Sequence, residues 1–422
     1  MVETNEQQPS GFLSRLPYYS LIALIASLGF IQLGFPIFGK IANVTDVLFL
    51  VTAAVWAIAA VSKQVELRWD KFYWAALAYF AALSISVVFS TDIIRSLKTL
   101  PIEIYLATLS FITFSVLNSR RRIETAITAW LIGTAFTIAI GLFSIILFYL
   151  DRGNFLLEYL TYHYGAVPVG DFPRITATFA SASMLCNYLN VGLILAVVAL
   201  YREWLRPTVA YLFIAGTLIC LLFTVSIGLG GIFLALGTVA IFIYKRNDAA
   251  TRVFAAVGVV AALAFLVISI FSLAYYPNAE VWATISTFRL MPSSRVLVWR
   301  DALLTFFQHP ITGNGLGLPV AATTVVNTDG SISLLTDAHD SFLNVAAQSG
   351  ILGLAGLLAV VIYLLRIWIK GIKANLTLTR ALGLAFVCSF VYQGLTGSFE
   401  EARHLWVLMG ILVAANRIET EA

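Results

Sequence analysis

From Phe342 to Leu365 the chain carries no Asp, Glu, Lys or Arg. At about 1.5 Å of rise per residue, an uncharged helix of that length crosses the roughly 30 Å hydrocarbon core of a bilayer. Similar apolar runs recur near 17–35, 41–61, 72–90, 99–117, 125–150, 175–200, 208–225, 229–244, 253–274, 342–368, 381–397 and 404–416. In lipid each backbone N–H and C=O must be satisfied inside its own segment or in a closed barrel. Runs of this length are helices, since barrel strands are short and alternate apolar with polar residues. The expected fold class is therefore all-α: a polytopic membrane protein of about 12 transmembrane helices. Composition agrees: 60% of residues are hydrophobic and 11% charged, against roughly 25% charged in soluble domains.

The whole chain, 1–422, reads as a single transmembrane domain with no internal repeat. Met1–Ser10 is polar and acidic and the first apolar run is of spanning length, so no cleavable signal is expected. Cys186, Cys220 and Cys388 lie inside apolar runs. They read as small packing residues, without disulfide or metal-ligand spacing.

An even number of spans puts both termini on one side, and basic residues select that side. With the N-terminus cytoplasmic, most of the 26 Lys and Arg fall in cytoplasmic segments, including Arg120-Arg121-Arg122. Lys40, Arg95, Lys98, Arg152, Arg174, Arg289, Arg295, Arg300 and Arg403 fall on the outer side. His163, His309, His339 and His404 all lie on the outer face or at its boundary. The largest outer loop covers 275–338, between the ninth and tenth spans. Within it SSRVLVWRDALLTFFQHP reads as an amphipathic helix, capped by Ser293 or Ser294 and stopped by Pro310.

Arginines on the translocated side oppose the insertion bias and so need another reason. A guanidinium fork matches phosphate oxygens, and for Arg174 and Arg295 this reading is favoured. For Arg300 and Arg403, salt bridges with Asp301, Glu400 or Glu401 are an equal alternative. His339, in TDAHDSFLNVAAQSG, is a candidate base because imidazole accepts a proton near neutral pH. Asp337 or Asp340 could orient it, or cap the following helix. Asp46 and Glu103 lie within apolar spans near their outer ends, where an intramembrane carboxylate is functional or paired with an arginine. His309 reads as a turn residue, and Gly350, Gly353 and Gly356 as close helix packing. No phosphate-loop, zinc-protease or serine-hydrolase signature occurs. The pattern suits an anionic, lipid-borne substrate and one proton transfer, with no metal, cofactor or nucleic acid. A transporter would instead concentrate polar residues at the bilayer midplane, often in paired repeats.

Three segments carry a resemblance: RITATFASASMLCNYL, SSRVLVWRDALLTFFQHPITGNGLG and HDSFLNVAAQSGILGLAGLL. Together they resemble the O-antigen ligase and O-antigen polymerase family of membrane glycosyltransferases, most closely the ligase type. The chain departs from the family at Ala182-Ser183, where members usually carry Pro-Asn. It departs again at Ser226-Ile227-Gly228, where many have an arginine. The resemblance implies an inverting transferase in a bacterial inner membrane, acting on the periplasmic side. Its donor would be a glycan on undecaprenyl diphosphate, and its acceptor a sugar hydroxyl of the lipid A core. In a polymerase, the acceptor is another lipid-linked repeat unit. His339 matches the family's essential histidine, and Arg174 and Arg295 match arginines near the diphosphate, with Arg403 as a further diphosphate contact.

Overall fold

The structure, a computed structural model, describes residues 12–30, 34–37, 40–161, 173–224, 283–285, 288–290, 295–326, 332–396 and 402–422. The expected spans 229–244 and 253–274 lie outside the described residues, as do His163, Ser226-Ile227-Gly228, Ser293, Ser294, Glu400 and Glu401.

The described chain is helical: α1 (Phe12–Ser27), α2 (Val44–Val61), α3 (Phe72–Val88), α4 (Ile93–Val116), α5 (Arg120–Leu150), α6 (Leu157–Leu160), α7 (Ala182–Tyr201), α8 (Pro207–Phe223), α9 (Arg295–Gln308), α10 (Ser341–Lys373), α11 (Thr377–Thr396) and α12 (Arg403–Glu421). Among them α2, α4, α5, α7 and α10 are long and apolar enough to cross a membrane, and α3 and α8 are shorter apolar helices. This is a multi-pass membrane protein. Large apolar side chains such as Leu50, Ile85, Phe136, Leu212 and Ile362 stay exposed on the helices, as lipid-facing surfaces require.

Three two-stranded antiparallel hairpins qualify the all-α expectation: β1 (Gly34–Ile37) with β2 (Lys40–Asn43), β3 (Ala283–Ile285) with β4 (Phe288–Leu290), and β5 (Thr323–Val326) with β6 (Ile332–Leu335). The first shortens the expected span 17–35. Helix α1 ends at Ser27, and Gly34 and Pro36 then favour extended chain over helix.

Helices α7 and α12 form the interior. From His404 to Ala415 every residue of α12 is buried, including Trp406. The last and shortest apolar run is thus the central helix. It lies along α4, while α3 lies along α10. Small residues permit these approaches. A β-carbon at Gly133 of α5 would stand 2.3 Å from the Ala26 carbonyl oxygen of α1, and one at Gly356 of α10 would stand 2.7 Å from the Tyr79 Cα of α3.

The helices alternate in direction, which gives the bundle two distinct ends. One gathers the starts of α2, α4, α7, α10 and α12 with the ends of α3, α8 and α11. Its ties include Asn187 to Gln393 at 2.7 Å and Thr91 to Asn314 at 2.9 Å. The other end is tied by Tyr363 to Asp70 at 3.0 Å, and by Glu419 accepting from the Leu378 and Thr379 N–H groups.

Candidate active site

The sharpest local geometry lies at the mouth of α10. Asp340 is its N-cap, and the carboxylate accepts the Leu343 N–H at 2.9 Å, satisfying a donor that the helix cannot. Asp337 has a different task. Its Oδ1 accepts the His339 N–H at 2.5 Å and lies 3.6 Å from the ring Nδ1. That longer distance exceeds a hydrogen bond but lets the carboxylate's charge act on the imidazole. The two aspartates, equivalent in the sequence, are therefore separated into a cap and a histidine partner. His339 has φ 48°, a left-handed conformation that is uncommon outside glycine and costs about 1–3 kcal/mol where the surroundings impose it.

Beneath the motif, Ala338 and Ala347 pack with Trp299 and Ala302 of α9, Val320 and the partly buried Leu343. Helix α9 is thus laid against the start of α10. Arg295 begins α9 one turn before Trp299; its side chain lies outside the described part of the structure. Arg300 is 61% exposed, 3.6 Å from Asp301, and Asp301 accepts from Thr323 at 2.8 Å. His309 is exposed just past the helix, and its carbonyl accepts the Gly313 N–H at 2.9 Å.

The glycine turn that follows is stitched into a break in α10. Gly350 has φ 64° and ψ −164° inside the helix. A β-carbon there would lie 2.2 Å from the Ile311 carbonyl oxygen. Ile351 N–H donates to the Pro310 carbonyl at 2.8 Å, Asn314 N–H to Ala347 at 2.9 Å, and Gly315 N–H to Gln348 at 3.0 Å. The Gln348 side chain accepts the Gly317 N–H and donates to the Leu318 carbonyl, while its own carbonyl accepts from Ser86 of α3. Gly350 was expected to serve helix packing. It breaks the helix instead, and the freed backbone groups hold the turn. Gly356 does pack closely on α3, and Gly353 faces Ser349 across the break. The sequence reading missed Gln348, although an amide two residues before a glycine inside an apolar run was the available sign.

Arg403, at the start of α12, meets Asp46 with Nη2–Oδ1 at 3.0 Å. Its Nε donates to the Tyr105 hydroxyl at 3.1 Å, and that hydroxyl donates to Asp46 at 3.3 Å. Asp46 also accepts the Asn43 N–H at 3.2 Å. This partner comes from α2, a choice made by packing and absent from the neighbouring sequence; Tyr105 was not anticipated. Glu103 is buried on the same helix as Tyr105. Because α4 starts at Ile93, it lies deeper in its helix than expected.

Arg174 lies in the extended lead into α7. Its Nε donates to the Thr224 carbonyl at 3.1 Å, and the Ile175 N–H donates to Phe223 at 3.0 Å, fastening the segment to the end of α8. A polar chain then links α7 to the histidine motif. Asn187 binds Gln393 and Ser389 of α11, and Ser341 donates to the Gln393 carbonyl at 3.3 Å. Arg174, Asp46, Arg403 and His339 therefore sit on segments gathered at one end of the bundle. Among the described residues no group of three or more His, Cys, Asp or Glu is placed to hold a metal ion.

Residues 210–358 match the family model described as O-Antigen ligase. The match runs from α8 through α9 and the glycine turn into α10. It includes Arg295, Arg300, His309 and His339, with Arg174, Asp46, Glu103 and Arg403 outside it. No curated protein matches the chain. The matched stretch covers 149 of the 422 residues and is similar to the O-antigen ligase family.

Proposed function

We propose that this protein is a member of the O-antigen ligase family and acts as a ligase. It moves a glycan from undecaprenyl diphosphate to a sugar hydroxyl of the lipid A core, at the periplasmic face of a bacterial inner membrane. Both termini are then cytoplasmic, and the end of the bundle bearing His339 faces the periplasm.

The observation that carries the reading is the His339 mount. A base must be aimed as well as present. Asp337 holds the backbone of His339 in its left-handed turn and stands beside the imidazole, which is the group that takes the acceptor's proton. The hydroxyl oxygen then attacks the anomeric carbon as the bond to the diphosphate oxygen breaks. One displacement inverts that carbon. Arg174 and Arg295 bind the diphosphate and stabilise the negative charge growing on it. Diphosphate is already a good leaving group, so no metal is needed. Arg403 is held by Asp46 and Tyr105, and its part is to position α12 beside α2 and α4.

The test is purified protein in lipid, with a lipid-linked glycan donor and a lipid A core acceptor. His339→Ala and Arg295→Ala should each abolish transfer, and excess chelator should leave the wild-type rate unchanged. Transfer at the wild-type rate by both variants rejects the mechanism. In a deletion strain, unligated lipid-linked polymer identifies a ligase. Accumulated single repeat units identify a polymerase instead.

A further inference from the structure

We propose a second anion site, at the end of the bundle opposite His339, that binds a phosphate group. A cavity of about 440 Å³ opens there between α1, the α2–α3 connection, the end of α4 and the start of α5. Its wall includes Lys63, Arg68 and Arg122, with Glu66 as its one carboxylate.

Lys63 is exposed, but Arg68 and Arg122 are turned inward. Basic residues at a membrane edge ordinarily extend to water and headgroups. Arg122 instead donates to the Val116 carbonyl at 2.9 Å and lies 4.9 Å over the Tyr18 ring. The Arg68 side chain is 22% exposed, and its charge lies close enough to oppose that of Arg122. Glu66 meets Arg68 at 3.2 Å, but it is 76% exposed and can swing into solvent. Lys63 holds φ 55° at the end of α2, a place where glycine is the usual cap.

Two further features point to an anion. The 31-residue helix α5 starts at the cavity wall, and its cap residue Ser119 makes no side-chain cap bond. The first N–H groups of a helix form a partial positive charge suited to phosphate. Independently, the Ser115 hydroxyl is buried, lines the cavity and has no hydrogen-bond partner among the described residues. A buried hydroxyl without a partner is costly. A phosphate oxygen would accept its proton while neutralising the opposed arginines.

On the orientation proposed above, the cavity opens at the cytoplasmic leaflet. Its phosphate then belongs to a phospholipid headgroup or to a soluble phosphate. Delipidated full-length protein in detergent, titrated with phosphatidylglycerol and read by native mass spectrometry, distinguishes these. Wild type should hold one lipid at least tenfold more tightly than Arg68→Gln. Ser115→Ala, which deletes only a hydroxyl, should weaken it about threefold. Arg417→Gln, which removes a charge outside the cavity, should bind as wild type. If inorganic phosphate alone raises the unfolding temperature of wild type but not of Arg68→Gln, and displaces the lipid, the ligand is the soluble anion. Equal binding of both probes by wild type and Arg68→Gln overturns the site. So does an equal loss in Arg417→Gln, since attraction would then follow net charge.

Discussion

The Arg403 guanidinium and the Asp46 carboxylate meet at 3.0 Å and join the first turn of α12 to the first turn of α2. Both side chains are mostly buried, at 20% and 28% exposure. Breaking a fully buried pair costs about 3–5 kcal/mol, and an exposed pair is worth at most about 1. Arg403→Gln and Asp46→Asn should each cost about 2 kcal/mol, discounted for that residual exposure. The double variant should lose less than their sum, because the second change removes nothing further. Unfolding in detergent measures the cycle. If both single variants keep full stability while the donor KM rises for Arg403→Gln alone, Arg403 is a diphosphate ligand.

His339 allows stability and catalysis to be separated at one position. Glycine takes the left-handed conformation freely, so His339→Gly should be as stable as wild type, or up to about 1 kcal/mol more stable. His339→Ala keeps the strain without the ring. Both should lose transfer by about 10²–10⁴-fold, the range of a positioned base. In wild type, transfer should fall on acidification, because a protonated imidazole cannot accept the hydroxyl proton. An active His339→Gly enzyme excludes the base role.

Much of this was legible in the sequence. Apolar runs located α2, α5, α8 and α10 to within a few residues at most ends, because span length is set by the bilayer. The histidine motif and the arginine helix also stood out, since polar residues at membrane boundaries are conspicuous. What escaped was pairing. Asp46 finds Arg403 through the packing of α2, α4 and α12, and apolar faces carry little information about their neighbours. The break at Gly350 was hidden too. A glycine in an apolar run suggests close packing, and only the turn lying against it reveals its left-handed backbone.

That break makes a specific demand. Alanine at Gly350 would have to adopt φ 64° with its β-carbon 2.2 Å from the Ile311 carbonyl oxygen. Backbone cannot yield as a flexible side chain does, so Gly350→Ala should cost about 2 kcal/mol or more and displace the glycine turn. Protease cleavage between 310 and 319 in folded protein, compared with wild type, reports the displacement. Unchanged cleavage and stability would mean that α10 runs straight through this position in the membrane.

Arg174 is where charge and geometry can be told apart. Its Nε is committed to the Thr224 carbonyl at 3.1 Å, which fixes the plane of the guanidinium and the direction of its two terminal amino groups. Lysine preserves the positive charge but offers a point donor in place of the fork. If the fork grips the diphosphate, Arg174→Lys should raise the donor KM about tenfold, one good charge-assisted bond, while stability changes little. Arg174→Gln should lose more, because charge and fork go together. If the residue serves only to fasten the lead of α7 to α8, the order changes. Both variants should then destabilise the protein alike and leave the donor KM where it was. Unfolding temperature and donor KM, measured on the same preparations, separate the two roles.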